Sequence, residues 1–169
     1  MSGSADQRFA APQAHVEDVT GTNDPVLADR GTRLLAAIVD GLILAALAWA
    51  LTNVPVVNAL LTPKDESFFA LNVGALLVGY PLFLVVQGWC LVQRSQTLGK
   101  MLCGIRIVRT DGSPASAARL LGLRYGVGYL TSISFVLSSL YGIIDSLLIF
   151  RSSRQCLHDT IADTKVIKA

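Results

Sequence analysis

The stretch 34–51, LLAAIVDGLILAALAWAL, decides the class of this chain: its only ionisable residue is Asp40. A bilayer core takes roughly 20 apolar residues per helix, with a range of about 17–25. Two further windows fall in that range. Residues 68–92 hold no charged residue, and 125–150 hold only Asp145. Buried helices of soluble domains are usually shorter and polar on one side. The whole chain agrees, with 52% hydrophobic and 15% charged residues and a mean hydropathy of +0.53, far to the apolar side of ordinary soluble domains.

Outward from these windows the chain divides simply. Residues 1–28 are polar and turn-rich, with Pro12, Gly21 and Pro25 and no apolar period, and are expected to form a disordered cytoplasmic tail. With Asp6, Glu17, Asp18 and Asp24 the tail is too long and too acidic for the start of a secretory signal, so the first apolar run is expected to be retained as a membrane helix. Residues 29–169 form one membrane domain. The first helix is expected from Asp29 or Arg30 to Leu51, with Trp49 at the outer interface. Pro55 and Pro63 mark a non-helical loop over 52–67, and the second helix runs over 68–92 with Pro81 at its centre.

Lysines and arginines set the orientation. The 52–67 loop carries only Lys64, whereas the 93–124 loop carries Arg94, Lys100, Arg106, Arg109, Arg119 and Arg124. By the positive-inside rule the second loop and the N-terminus are cytoplasmic, which makes this a multi-pass protein of the cell (inner or plasma) membrane. The C-terminal apolar region supplies one or two further spans. A single span would put Arg151, Arg154, Lys165 and Lys168 outside. In addition, residues 105–109 (IRIVR), running into Asp111-Gly112, and 165–168 (KVIK) both read as short strands. Pairing them requires both on one side, which favours two short helices, about 117–131 and 134–150, joined near 131–134. The fold class is thus an all-α membrane protein, a small multi-helix transmembrane bundle with a small cytoplasmic β element.

Polar groups inside the apolar windows are the candidate site, because an ionised Asp at bilayer depth costs about 2.5–3.5 kcal/mol on insertion scales. Asp40 lies roughly 10 Å beyond Arg33, Gln87 roughly 10 Å before Arg94, and Asp145 roughly 9 Å before Arg151, at 1.5 Å per residue. Three helices therefore place a polar group at one level. Arg33 and Asp40 share a helix face, and Ala36 and Ala37 between them leave a crevice. One reading is a cation or proton site of Asp40, Asp145 and Gln87 gated by Arg33. The other is that the aspartates pair with basic groups, or are protonated and hydrogen-bonded, and fix helix packing.

Other motifs are weaker. Thr97-Leu98-Gly99-Lys100 lacks the leading glycine and the preceding strand of a phosphate loop. His158 and Asp159 are too few for a closed metal site, so no metal or cofactor is expected, and Asp159 is expected to cap a helix that begins at Thr160-Ile161-Ala162. Cys90, Cys103 and Cys156 have no ligand spacing. No nucleophile–base pair is visible, so no enzyme is expected, and a net charge of +2 with no basic–aromatic interleaving excludes nucleic acid.

Three ordered motifs, RLLAAIVD at 33–40, TLGKMLCGIRIV at 97–108 and RQCLHDTIADTKV at 154–166, resemble the RDD family of prokaryotic membrane proteins over about residues 28–169. The resemblance implies that Arg33 and Asp40 are the family's arginine and first aspartate, that Asp145 is its second aspartate, and that Gly99, Lys100, His158 and Asp159 form a cytoplasmic motif. Cys156 and Asp163 depart from the family's usual alanine and glycine. The family's biochemistry is largely undefined, with transport of ions or small ligands suspected. The expected function is accordingly transport through the Asp/Gln layer, or alternatively an accessory or assembly role in a larger membrane complex. The expected partners are the bilayer and either further copies of the chain or that complex.

Overall fold

A computed structural model describes residues 25–62, 67 and 69–169. Residues 1–24 of the expected tail, and Lys64 in the expected outer loop, lie outside the described residues.

Asp29 opens the first helix, α1 (Arg30–Leu51), by accepting from the Thr32 backbone N–H at 2.9 Å, an N-cap that satisfies one of the helix's orphan donors. At 22 residues the helix is about 33 Å long, enough to cross a hydrocarbon core of about 30 Å. Only 6% of its most apolar window is buried, so it is not the core helix of a soluble domain. Within α1 only Arg33 and Ala36 are buried.

The 52–67 loop, expected to be non-helical, contains α2 (Pro55–Leu61). Pro55 sits at the start of that helix, where the missing N–H costs nothing and the fixed φ suits the first turn; there proline starts a helix rather than excluding one. The next helix, α3 (Val73–Arg94), starts later than expected because Asn72 caps it, accepting from the Ala75 N–H. It too is long and apolar enough to span a membrane. Pro81 lies inside α3, and residues Leu84–Gly88 then take a wider π turn, the local adjustment by which an apolar helix absorbs a proline. Gln87 lies in that π turn and is fully buried.

After a left-handed Ser95 (φ 54°) come α4 (Leu98–Leu102) and β1 (Ile105–Arg109). A π-helix, Ala118–Gly126, then runs on as α5 (Val127–Thr131), and α6 (Phe135–Leu148) returns. These are the two short helices expected near 117–131 and 134–150. Phe83 of α3 packs on Tyr125 and Tyr129 (ring centres 4.8 and 5.2 Å), and the Tyr80 hydroxyl donates to the Leu121 carbonyl at 3.0 Å. The connector between α5 and α6 meets the start of α3: the Asn72 N–H donates to the Ile133 carbonyl at 2.7 Å.

The chain ends with α7 (Leu157–Ile161) and β2 (Thr164–Lys168). β2 pairs antiparallel with β1, with Ile107 opposite Val166. Its alternate face, with Ile105, Ile107 and Val166, enters the core. Residues 26–28, expected to belong to the disordered tail, join this cap. The Ala28 N–H donates to the Val166 carbonyl, and Lys168 N–H to the Val26 carbonyl, both at 3.0 Å. Among the described residues the architecture is therefore mostly helical, with two membrane-length apolar helices and a small two-stranded sheet.

Candidate functional site

Two polar clusters form where the helices meet the cap. The first centres on Asp40. Its Oδ1 accepts from Gln87 Nε2 at 2.9 Å and from the Gly99 N–H at 2.7 Å, and its Oδ2 accepts from the Thr97 hydroxyl at 2.5 Å. Lys100 Nζ lies 4.0 Å away. The Gln87 carbonyl oxygen takes the Leu98 N–H at 2.8 Å. The Thr-Leu-Gly-Lys segment thus wraps an anion as a phosphate loop does, but the anion is the chain's own carboxylate. Gly99 is required by space: a Cβ there would stand 2.2 Å from the Ala36 carbonyl oxygen. The crevice expected beside Ala36 exists, and α4 fills it.

The second cluster centres on Asp159, fully buried, whose carboxylate pairs with both Arg33 and Arg124. Arg33 also donates to the Arg154 carbonyl, and Arg124 Nη1 donates to the Thr164 hydroxyl at 2.5 Å. Asp159 also accepts from the Cys156 N–H at 3.1 Å, so it caps α7 from the third position of the helix, with Cys156 as the N-cap, rather than from ahead of Thr160 as expected. Burial by itself would raise the Asp159 carboxyl, but Arg124, His158 and Arg33 beside it hold it well below the usual carboxylate range.

Asp145 joins this cluster rather than Asp40. Its oxygens lie 2.7 and 2.9 Å from His158 Nδ1, and Oδ1 accepts the His158 backbone N–H at 2.9 Å. Burial and then Arg124 push the His158 imidazole below its ordinary range, against the raising effect of Asp145. The expected single layer of Asp40, Gln87 and Asp145 is therefore split. Among the described residues no hydrogen bond or ion pair joins Asp145 to Asp40 or Gln87, and Arg33 pairs with Asp159 rather than gating Asp40. Equal depth along separate helices does not fix which faces turn toward one another. Tyr125 links the clusters: its hydroxyl accepts from Lys100 Nζ at 3.2 Å, and its ring stacks on His158 at 6.5 Å.

Arg124 is the residue that sequence reasoning undervalued. It counts there only as one of six loop charges, although it is flanked by the apolar residues Leu120, Leu121 and Leu123 and followed by the long uncharged run; here it is 1% exposed. Asp145, Cys156 and His158 bring ligand atoms within 4.8 Å of one another. Arg33 Nη2 stands 3.5 Å from the Cys156 sulfur, and burial pushes that thiol up to about 11, so the thiolate that metal ligation needs is disfavoured.

The sequence matches the family model described as the RDD family over residues 27–163. It is also 32% identical over 141 residues to the uncharacterized protein YckC of Bacillus subtilis, covering 82% of this chain and 80% of that one. No solved structure matches. The matched span takes in α1 with Arg33 and Asp40, the Asp40-binding segment of α4, and the Asp145–His158–Asp159 cluster, and on that evidence this chain belongs to the RDD family.

Proposed function

We propose that this is a multi-pass protein of the cell membrane, with both termini cytoplasmic, that moves ions or small ligands. In this reading α1 and α3 cross fully. The 118–131 and 135–148 limbs form a hairpin whose tip reaches the outer end of α3, which the Asn72–Ile133 bond supports. The β1–β2 pairing supports placing the C-terminus on the same side as the basic 93–124 loop. At about 21 Å, the 14-residue α6 is short for a full span, so the bilayer thins locally beside the hairpin. A path through one copy would be cramped, so transport implies an oligomer.

The observation that supports a transport role is the Asp145–His158 pair. A carboxylate against an imidazole is a proton-exchanging couple, and its side chains retain 18% and 23% exposure. Asp40, with both oxygens already occupied, acts in positioning α4 against α1. Flux measured in vesicles, alongside melting in detergent, tests the division of roles. Asp145→Asn is expected to abolish flux with little change in melting, because asparagine keeps size and hydrogen bonding but cannot ionise. Wild-type flux in that variant, with unchanged melting, rules out the charged-pair mechanism.

An accessory role in a larger complex is favoured instead by the internal saturation of Asp40 and by the exposed apolar side chains of α1, among them Leu35, Ile38 and Leu42. Crosslinking in native membranes followed by mass determination separates the two. Multiples of this chain's mass support transport, and a heteromeric product supports assembly.

A further inference from the structure

In the Arg33–Asp159–Arg124 cluster one guanidinium is incompletely hydrogen-bonded. Arg124 Nη1 is taken by Asp159 and Thr164, whereas its Nε and Nη2 are buried with no hydrogen-bond partner. A buried donor left unpaired is costly, and more so when charged, so such atoms call for an acceptor. Nε and Nη2 form one edge of the planar fork, the edge that matches two oxygens of a carboxylate or phosphate. Arg124 lines a cavity of about 280 Å³ that is also lined by Tyr125, Tyr129, Ser138, Tyr141 and His158. The Tyr141 hydroxyl is a second buried group there without a partner. Asp145 does not line the cavity and is engaged by His158 through both ring and backbone.

We infer that this cavity binds a small oxyanion, a carboxylate or phosphate group, held bidentately by the Nε–Nη2 edge of Arg124 and by the Tyr141 hydroxyl. Arg124 is the cation that lines this space, and Asp159 and Thr164 occupy only its Nη1. A cation is disfavoured there. The group can come from a free solute or from an anionic lipid headgroup, and the chemistry that recognises it is the same. The inference goes beyond the transport reading, and binding is read without flux, so either can fail alone.

The test uses the purified full-length protein in a neutral detergent. Inorganic phosphate and succinate are titrated by calorimetry, with choline chloride as an ionic-strength control. Retention of phosphatidic acid against diacylglycerol, which differ only in the phosphate, is read by native mass spectrometry. Wild type is expected to bind at least one of the three acidic probes. Tyr141→Phe, which removes an atom that has no internal partner, is expected to weaken binding about tenfold with unchanged ligand-free melting. Ser138→Leu, on an exposed wall of the cavity, is expected to block it. Arg124→Lys keeps the charge but not the fork and is expected to lose more than Tyr141→Phe; because it also touches Asp159, the other two variants carry the test if it fails to fold. Binding of phosphate or succinate without preference for phosphatidic acid supports a solute; the reverse supports a lipid. Failure of wild type to bind any acidic probe, or binding that Tyr141→Phe and Ser138→Leu leave unchanged, overturns the inference.

Discussion

Asp159→Ala is the perturbation from which the structure demands the largest effect. The carboxylate is fully buried and faces two guanidiniums that are 8% and 1% exposed. Removing one partner of a buried ion pair leaves an uncompensated charge and costs about 3–5 kcal/mol. Here one deletion strands two charges and frees the Cys156 N–H, so the upper end of that range is expected. For a chain of this length, 1 kcal/mol moves the midpoint by about 2–4 °C, so melting in detergent should fall by roughly 10–20 °C. Asp163→Asn, four residues on and nearly half exposed at 45%, provides the contrast. Its pairs with Arg109 and Arg119 lie at the surface, where such pairs are worth about 0–1 kcal/mol. Adding Arg124→Met to Asp159→Ala should restore part of the loss, because an apolar replacement needs no counter-charge. The depressed Asp159 carboxyl gives the sign of the pH dependence. Its stabilisation is fully present above the unfolded carboxylate pKa of about 3.9 and is lost only as pH falls toward the lower folded value, so the pair holds throughout pH 5–8. Melting of Asp159→Ala within about 2 °C of wild type, far short of the expected fall, would refute the view that this carboxylate holds the cap to the helices.

Three further outcomes are expected. Gly99→Ala should lower stability by about 1–3 kcal/mol, because the new Cβ meets the Ala36 carbonyl oxygen at 2.2 Å and must push α4 off α1; melting in detergent reads it. His158 is held below its ordinary pKa by burial and Arg124, with Asp145, Asp159 and Tyr125 also facing it. The unfolded chain therefore binds more protons as pH falls through about 6.5, stability declines from pH 7 to 5, and His158→Gln flattens that part of the curve. Cys156, buried with its thiol pushed up to about 11, should resist maleimide at pH 7 in folded protein and react once unfolded, as mass spectrometry of the labelled chain would record.

The sequence by itself determined the class and most of the elements. Apolar runs of bilayer length, with Asp40 the one charge between them, mark α1 and α3, because few soluble folds have use for so long an apolar helix. The alternation in IRIVR and KVIK marks β1 and β2, because strand periodicity is local. The three motifs identify the family. Boundaries set by distant partners were not legible: residues 26–28 are ordered by β2, and α3 waits for Asn72, which is tied to Leu61 and Ile133. The candidate site divided in the same way. Depth along a helix follows from residue count, which is why Asp40, Gln87 and Asp145 were expected at comparable levels. Rotation and pairing do not follow from residue count, because they depend on which helices are neighbours and on the register that a π turn shifts. The expected company of Asp40 and Gln87 held, but only the tertiary structure could add the Thr97–Lys100 segment to it, give Asp145 to His158, and fold Arg33 and Arg124 from distant parts of the sequence onto the single carboxylate of Asp159.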